Sequence, residues 1–289
     1  MDLFYLSDTH LETLDLERVD LKNVALLYKQ QIESFFNKKV DPSSSILIMA
    51  GDIVEFRYLS RCEDFFRKIR SYFYDVYYVA GNHEYWSGVL NSKEREERHK
   101  ETLASYGVRY FNNEVFSHQD YVFIFSTLFG AGTQGVTHFR ASKETELIND
   151  FRKIKYFRSG RYSVFKPQDY YYESVRNKHF VRSQLEELIN TDKKVVVVTH
   201  HLPAKNPLDA KKVYDNYYHS DILERMGFDL YKKPDLWVVG HLHTPQDFVF
   251  NEVRVVSNPC FVNDLLKTWY KTRAYINIKK LLDIGIWFC

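Results

Sequence analysis

Five short polar blocks follow one another along this chain, and their side chains are of the kinds that bind divalent metal ions. In chain order they are Asp8-Thr9-His10, Gly51-Asp52, Gly81-Asn82-His83-Glu84, Thr199-His200-His201 and Gly240-His241-Leu242-His243. Carboxylates, imidazoles and an amide, with no thiolate among them, favour a catalytic pair of ions such as manganese, iron or zinc over a closed structural zinc site. The set therefore predicts a metal-dependent hydrolase.

The spacing inside two of the blocks supports this interpretation. Asp8 and His10 are two residues apart, and so are His241 and His243. On an extended segment, residues two apart face the same side, so each pair could reach one ion. Taken singly, Asp8 or Asp52 could instead be an ordinary turn former after a strand, and a lone histidine is usually a satisfied interior group. The ordered set of five blocks favours a metal site over these structural roles.

Each block follows a short apolar run, which gives the elements that must position the polar side chains. The runs span residues 3–6, 46–50, 76–80, 195–198 and 236–239. Runs this short and rich in Val and Ile predict buried strands, whereas the periodicity of residues 16–35 and 65–73 predicts helices. Strands alternating with helices indicate an α/β fold, in which ligands gather outside the carboxyl ends of the strands. We expect the five blocks to meet at such an edge.

The rest of the chain predicts one domain over residues 1–289. It contains no internal repeat, low-complexity tract or linker long enough to separate domains. Successive strands are predicted at residues 248–250, 253–256, 273–278 and 284–288, so a mixed sheet or two packed sheets are favoured over a purely parallel one. Residues 126–182 are the least regular, and we expect them to form an elaboration over the site.

Composition excludes several other classes of protein. The formal net charge is +2, from 40 basic and 38 acidic residues, which gives no whole-molecule field for a dedicated nucleic-acid or membrane binder. Three scattered cysteines argue against a disulfide framework and against a cysteine metal site. Because we find neither a secretory leader nor an apolar run of membrane-spanning length, we expect a cytoplasmic protein with no membrane partner. The sequence does not predict the oligomeric state.

The motifs DTH, GD, GNHE, THH and GHLH, in this order, resemble the pattern of the calcineurin-like metallophosphoesterase superfamily, and the resemblance spans residues 8–243. It implies a four-layer αββα sandwich, in which two mixed β-sheets are flanked by helices and the metals lie at one sheet edge. Residues 126–129, 149–152 and 195–203, together with Asn258-Pro259, are further similar to a group of small bacterial and phage phosphoesterases.

The resemblance also implies a role for each block residue. One ion is held by Asp8, His10 and His243, and the other by Asn82, His200 and His241, with Asp52 as the bridge between them. His83 faces the scissile phosphate, which Asn82 also contacts, whereas Glu84 orients His83 or closes the local turn. His201 has no ligand role. The expected cofactors are two divalent ions, with manganese favoured and iron, zinc or nickel as alternatives.

Two such ions predict a mechanism with two catalytic residues, Asp52 and His83. Ions about 3.5–4 Å apart can acidify a shared water and hold it in line with phosphorus, so the nucleophile is a bridging hydroxide. We expect single-step displacement with inversion at phosphorus. His83 then protonates the leaving oxygen or steadies its charge, a contribution of roughly 10²–10⁴-fold for a general acid.

The substrate class is suggested by residues 151–182, which are rich in basic and aromatic side chains. Cations beside aromatics can hold a phosphate backbone and stack bases, but the same pattern fits a solvated helix face with its aromatics turned to the core. Arg152 is the predicted phosphate contact. We therefore predict a phosphodiesterase or phosphatase acting on a nucleotide or other small phosphoester. The alternatives are a nuclease acting on single-stranded nucleic acid and a noncatalytic scaffold, which would have lost ligands that this chain retains.

Overall fold

The computed structural model describes residues 1–130, 148–205 and 215–272. Its strands are β1 (Asp2–Leu6), β2 (Ser45–Ala50), β3 (Asp75–Val79), β4 (Val89–Leu90), β5 (Arg109–Tyr110), β6 (Glu114–His118), β7 (Tyr121–Ser126), β8 (Lys155–Arg158), β9 (Arg161–Val164), β10 (Lys194–Thr199), β11 (Leu236–Val238), β12 (Gln246–Phe250) and β13 (Val253–Ser257). Its α-helices are α1 (Leu21–Phe35), α2 (Glu63–Arg70), α3 (Lys93–Ser105), α4 (Asp150–Lys153), α5 (Pro167–Glu187), α6 (Asp215–Tyr218) and α7 (Val262–Thr272).

Two large sheets organise these elements. The first sheet has the strand order β1-β2-β3-β5 and is parallel throughout, because helices α1 and α2 carry the chain back between its first three strands. The second sheet has the order β12-β13-β11-β10-β7-β6, with parallel pairs in the middle and an antiparallel pair at each edge. The predicted α/β class is confirmed. Two details differ from the prediction, since the first sheet is not mixed and a small third sheet, β4-β8-β9, is present.

The two large sheets pack face to face, and helices cover their outer faces. Strand β2 is buried along its whole length, so its alternate side chains serve two different cores. Ile46 and Ile48 pack toward Phe123 and Val196 of the second sheet. Leu47 and its neighbours on the other face contribute to the core that includes buried residues of α1 and α2. These cores produce the predicted four layers.

Helices α1 and α5 illustrate how the outer layers form. Helix α1 begins after Asp20, whose side chain accepts hydrogen bonds from two backbone N–H groups of the first turn. Tyr28 and Ile32 of this helix share one face and are fully buried against the first sheet. Helix α5 begins with a proline and contributes Val181 and Leu185 to the core against the second sheet.

Some predictions fall outside the described residues. The strands expected at 273–278 and 284–288 lie there, and so does part of the expected elaboration, residues 131–147. The remainder of the elaboration contains α4, the β8–β9 hairpin and α5. A single domain over the whole chain therefore stays a prediction. Among the described helices, none combines the length and apolar character needed to cross a bilayer.

Candidate metal centre

The five polar blocks meet at one edge of the sandwich. Asp8, Asp52 and Asn82 lie in the loops after β1, β2 and β3 of the first sheet, whereas His200 and His241 follow β10 and β11 of the second. The loops touch directly, because the carboxylate of Asp8 accepts the backbone N–H of His241 at 3.0 and 3.1 Å from its two oxygens. Residues more than two hundred positions apart in the chain thus form one site.

The first group of candidate ligands is Asp8, His10, Asp52 and His243, whose ligand atoms all lie within 4.8 Å of one another. Nε2 of His10 is 3.1 Å from Nε2 of His243. Nε2 of His243 is in turn 3.5 Å from Oδ1 of Asp8. Two nitrogens and two carboxylates therefore converge on one point.

The second group is Asp52, His200 and His241, with Asn82 beside it. Nε2 of His200 lies 3.2 Å from Nδ1 of His241, 3.2 Å from Oδ1 of Asn82 and 3.3 Å from Oδ2 of Asp52. Asp52 belongs to both groups, since the same Oδ2 is 3.9 Å from Nε2 of His10. The two groups are thus adjacent and share a carboxylate.

Hydrogen bonds to Nδ1 of His200 and of His10 orient the Nε2 atom of each ring toward a cation. Nδ1 of His200 donates to the carbonyl oxygen of Ala50 at 2.9 Å, because a carbonyl can only accept. Nδ1 of His10 similarly faces Oε1 of Glu12 at 3.0 Å. In the neutral rings the lone pairs are then on Nε2, which points into the site in both cases. Facing lone pairs and carboxylates without a thiolate fit divalent ions such as manganese, iron or zinc.

A similar contact orients the amide of Asn82. Its Nδ2 donates to Oδ1 of Asp150 at 2.9 Å, so its Oδ1 is the atom that faces His200. Asp150 is buried, and the same Oδ1 also accepts the indole N–H of Trp86 at 2.7 Å. Asp150 therefore holds both a candidate ligand and an aromatic side chain of the site.

His83 lies beside both groups and belongs to neither, since its ring nitrogen clusters with the ligand atoms of His10 and Glu12. Its backbone N–H donates to Oδ1 of Asp52 at 2.9 Å, and its Nδ1 is 3.3 Å from Oε1 of Glu12. Its ring stacks on Trp86 with 3.4 Å between ring centroids. Nε2 of His83 is 4.0 Å from Oδ2 of Asp52, so this nitrogen faces the centre.

Burial and charge set the protonation of the candidate ligands. Burial alone would raise the pKa of Asp52, but the nearby His200 and His83 hold that pKa well below its ordinary value. Burial, together with His201 and His200, lowers the pKa of His241 well below the ordinary value for histidine. An ionised carboxylate and a neutral imidazole are the forms that bind a cation. Burial opposes the protonated form of His200 and His10, but Asp52 raises the pKa of His200 to about 10 and Glu12 raises the pKa of His10 to about 9, so these two rings release a proton when they bind a cation.

The backbone is strained where it presents these side chains. Asp8, His10, Asp52, His241 and His243 all have positive φ angles, between 50° and 72°. Non-glycine residues adopt this left-handed region infrequently, and such positions cluster at functional sites. The strain indicates that the loops are shaped for the side chains they carry.

The comparisons with known proteins agree with this geometry. A family model described as calcineurin-like phosphoesterase matches residues 1–245 of the 289 in the chain. The chain belongs to the calcineurin-like phosphoesterase family. The resemblance stated from the sequence is thereby confirmed, and with it a hydrolase of a metal-dependent family.

Two relatives of this phosphoesterase are similar over nearly its whole length. An uncharacterized protein of Acanthamoeba polyphaga mimivirus is 24% identical over 297 residues, which cover 97% of this chain and 98% of the viral protein. The crystal structure of a phosphopantetheinyl hydrolase from Mycobacterium tuberculosis superposes with a TM-score of 0.61 at 20% identity, covering 92% of each chain. The second likeness shows the fold alone.

A cavity of about 340 Å³ opens beside the candidate ligands of the phosphoesterase. Its lining includes Asn82 and His83 on the polar side and Trp86, Tyr170 and Tyr218 among its aromatic walls. Arg152 is not among the described lining residues. Its guanidinium is exposed and donates to Oδ1 of Asn149 at 2.9 Å.

Two other block residues have structural contacts. Glu84 accepts backbone N–H groups from Asp52, Ile53 and Gly81 at 3.0, 2.8 and 2.7 Å, so it closes the turn, and no hydrogen bond to His83 is found among the described residues. Nδ1 of His201 faces the carbonyl of Thr127 at 3.2 Å, outside both candidate ligand groups.

Sequence reasoning missed three residues of the site. Glu12 follows His10 by two positions, but it lies in a short 3₁₀ turn after the left-handed His10, so the same-side argument for an extended segment does not find it. Asp150 lies in the segment that was noted for Arg152, but nothing local indicates that it reaches Asn82. Trp86 follows His83 by three positions in a short 3₁₀ turn, which no apolar periodicity announces.

Proposed function

We propose that this chain hydrolyses a phosphoester with two divalent cations bound at the shared edge of its two sheets. The ligands of one ion are Asp8, His10 and His243, those of the other are Asn82, His200 and His241, and Asp52 contributes to both. The observation that carries the proposal is the position of Asp52, whose Oδ2 is 3.3 Å from Nε2 of His200 and 3.9 Å from Nε2 of His10. Manganese is the expected ion, with iron, zinc or nickel as alternatives.

When bound, the two ions supply Lewis acidity toward the phosphate oxygens and acidify a water for attack on phosphorus. The chain itself fixes the donor atoms before substrate arrives. The carbonyl of Ala50 holds the ring of His200, Glu12 holds that of His10, and Asp150 holds the amide of Asn82. Preorganised donors of this kind need little rearrangement during the reaction.

His83 is the proposed general acid. In the doubly protonated ring, Nδ1–H donates to Glu12, Trp86 covers one face, and the second proton is on Nε2, which faces the centre. There it protonates the leaving oxygen during a single in-line displacement that inverts phosphorus. Asn82 and His83 both contact the substrate phosphate in this scheme, and Arg152 stays a predicted contact at the cavity rim.

The cavity suits a nucleotide or another small phosphoester. Its volume of about 340 Å³ falls within the range of small-molecule pockets, and its aromatic walls can contact a flat or apolar group attached to the phosphate. Monoesters and diesters both fit this description, because they use the same metals and differ in the shape of the pocket.

The test is hydrolysis of bis-p-nitrophenyl phosphate and p-nitrophenyl phosphate with added manganese. We expect turnover that Asp52→Asn abolishes and that Asp64→Asn, a change to an exposed aspartate on α2, leaves unchanged. Elemental analysis of both variants gives the number of bound ions. Retention of full activity by Asp52→Asn, or a wild-type protein that binds one ion or none after loading, would overturn the proposal.

A further inference from the structure

One segment between the ligand blocks at 81–84 and 199–201 is locally far more basic than the whole molecule. Residues 151–166 contain six cationic side chains and no acidic one, although the entire chain has a formal net charge of only +2. The cations are Arg152, Lys153, Lys155, Arg158, Arg161 and Lys166, and all six are exposed. Strands β8 and β9 form a hairpin, residues 155–164, that carries three of them with Lys155 at its base.

One face of this hairpin is aromatic and exposed. Phe157 pairs with Tyr162, and Lys155 pairs with Val164, so these four side chains share a face. The rings of Phe157 and Tyr162 are 5.4 Å apart between centroids. Tyr162 is 55% exposed and Val164 is 59% exposed. Phe157 and Tyr162, here called the aromatic platform, are available to a flat ligand.

Cations lie on both faces of the hairpin that carries the aromatic platform. The guanidinium of Arg95 on α3 lies 5.9 Å from the ring centroid of Tyr162. At the tip, Arg158 pairs across the hairpin with Arg161, so both project from the face opposite the aromatic platform, and Arg158 is also bound to Asp169. Arg161 has no carboxylate partner among the described residues. A hairpin that carries both exposed aromatics and exposed cations can bind single-stranded nucleic acid, with phosphates on the cations and bases stacked on the rings.

The six cations of residues 151–166, here called the basic strip, are continuous with the candidate active site. The backbone N–H of Ser87 donates to the carbonyl of Lys153 at 2.7 Å, which ties the strip to the loop after His83. The ammonium of Lys153 lies 3.7 Å from the ring centroid of Trp86. Since His83 stacks on Trp86 at 3.4 Å, Lys153 and His83 must lie on opposite faces of that indole. The cations thus begin beside the proposed general acid.

We propose that the β8–β9 hairpin binds single-stranded nucleic acid, whose strand continues from a nucleotide held in the cavity. A four-residue strand such as β8 spans about 13 Å, which matches about four stacked nucleotides. The proposal rests on the proposed function only where cleavage of that strand is concerned. It makes the substrate an oligonucleotide and assigns the aromatic platform to its bases.

The binding test uses the full chain with EDTA present, so that turnover plays no part. Fluorescence anisotropy of a labelled deoxythymidine dodecamer measures Kd for the wild type, Tyr162→Ala and Tyr162→Phe. We expect Tyr162→Ala to raise Kd roughly 5- to 150-fold, the range for loss of one stacked base, and Tyr162→Phe to restore binding. Tyr172→Ala is the matched control, because Tyr172 on α5 is 53% exposed and outside the hairpin.

The proposed contact between Arg161 and a phosphate of the strand has its own test. Arg161→Ala should make the slope of log Kd against log salt shallower by about 0.7, the value for one phosphate contact on a single strand. Equal Kd values for the wild type and Tyr162→Ala would overturn the proposal. Inorganic polyphosphate that competes as well as the unlabelled dodecamer, at the same phosphate concentration, would also overturn it. Polyphosphate has no bases, so such a result would mean that the hairpin recognises charge alone.

Cleavage distinguishes failure of this proposal from failure of the proposed function. With manganese, Tyr162→Ala should turn over bis-p-nitrophenyl phosphate like the wild type while its KM for the dodecamer rises. A protein that binds the dodecamer through Tyr162 but hydrolyses no ester would support the hairpin and refute the proposed function. Loss of both ester and dodecamer turnover to the same extent in Tyr162→Ala would refute the hairpin.

Discussion

Asp150 offers a sharp test of how the candidate centre is held, because one of its oxygens accepts two hydrogen bonds, a buried one from Asn82 and a partly buried one from Trp86. In Asp150→Ala, Nδ2 of Asn82 and the indole N–H of Trp86 both lose their acceptor. A buried donor left without a partner costs about 1–3 kcal/mol, so we expect a loss of about 1–3 kcal/mol in the free energy of unfolding from Asn82, whereas the partly buried N–H of Trp86 can be solvated. Freed from Asp150, the amide of Asn82 can rotate, which should weaken binding at the second ion position about 10- to 100-fold.

Asp150→Asn is the matched control, because its amide oxygen can occupy the place of Oδ1 and accept both bonds. We expect it to retain most of the stability and metal affinity that Asp150→Ala loses. Urea unfolding of the metal-free proteins measures the first quantity, and titration with manganese by calorimetry measures the second. A folded Asp150→Ala protein that binds two ions with wild-type affinity would refute the reasoning. So would an Asp150→Asn protein as impaired as the alanine variant.

Three further outcomes are expected. Gly81→Ala should abolish metal loading measured by elemental analysis, because its Cβ would lie 2.7 Å from Cε1 of His200; normal loading would contradict this. His83→Ala should slow hydrolysis of an alkyl ester by roughly 10²–10⁴-fold but affect a p-nitrophenyl ester much less, and equal losses would exclude the acid role. Burial and the nearby Arg95 lower the pKa of His99 to about 4. The contribution of the neutral His99 ring to the free energy of unfolding is therefore complete above pH 6.5 and is lost as the pH falls toward 4. After allowance for solvent screening, His99→Phe should reduce the difference in unfolding free energy between pH 7 and pH 4.5 by about 1–2 kcal/mol in metal-free protein, as measured by urea titration.

The edge that gathers the candidate ligands was predictable from local patterns. A short apolar run followed by Asp8 or Asp52 describes a strand and its polar end within ten residues, and an α/β fold brings such ends together. The run before His200 gave the same information for the second sheet. Helices α1 and α2 also followed from periodicity, because each buries one face against a single sheet.

Features that depend on contacts distant in sequence could not be predicted in this way. The third sheet pairs Val89 and Leu90 with residues 155–156, and a two-residue strand has no periodicity to recognise. The link between Asp150 and Asn82 spans 68 positions and depends on how two loops fold over each other. The positive φ angles of the ligand loops include that of Gly51, where a Cβ would collide with Nδ1 of His200, a residue about 150 positions away in the chain.

The bond from Asp8 to the backbone of His241 has a consequence for the order of events during synthesis. The first sheet is complete once residues up to 110 have been made, and it already presents Asp8, Asp52 and Asn82. The partner nitrogens of His200 and His241 leave the ribosome much later. A nascent chain therefore exposes a half-built set of oxygen donors for seconds, at ordinary rates of translation. The full set of candidate donors is thus assembled only after the second sheet has docked, so an ion that needs all of them is acquired late in folding.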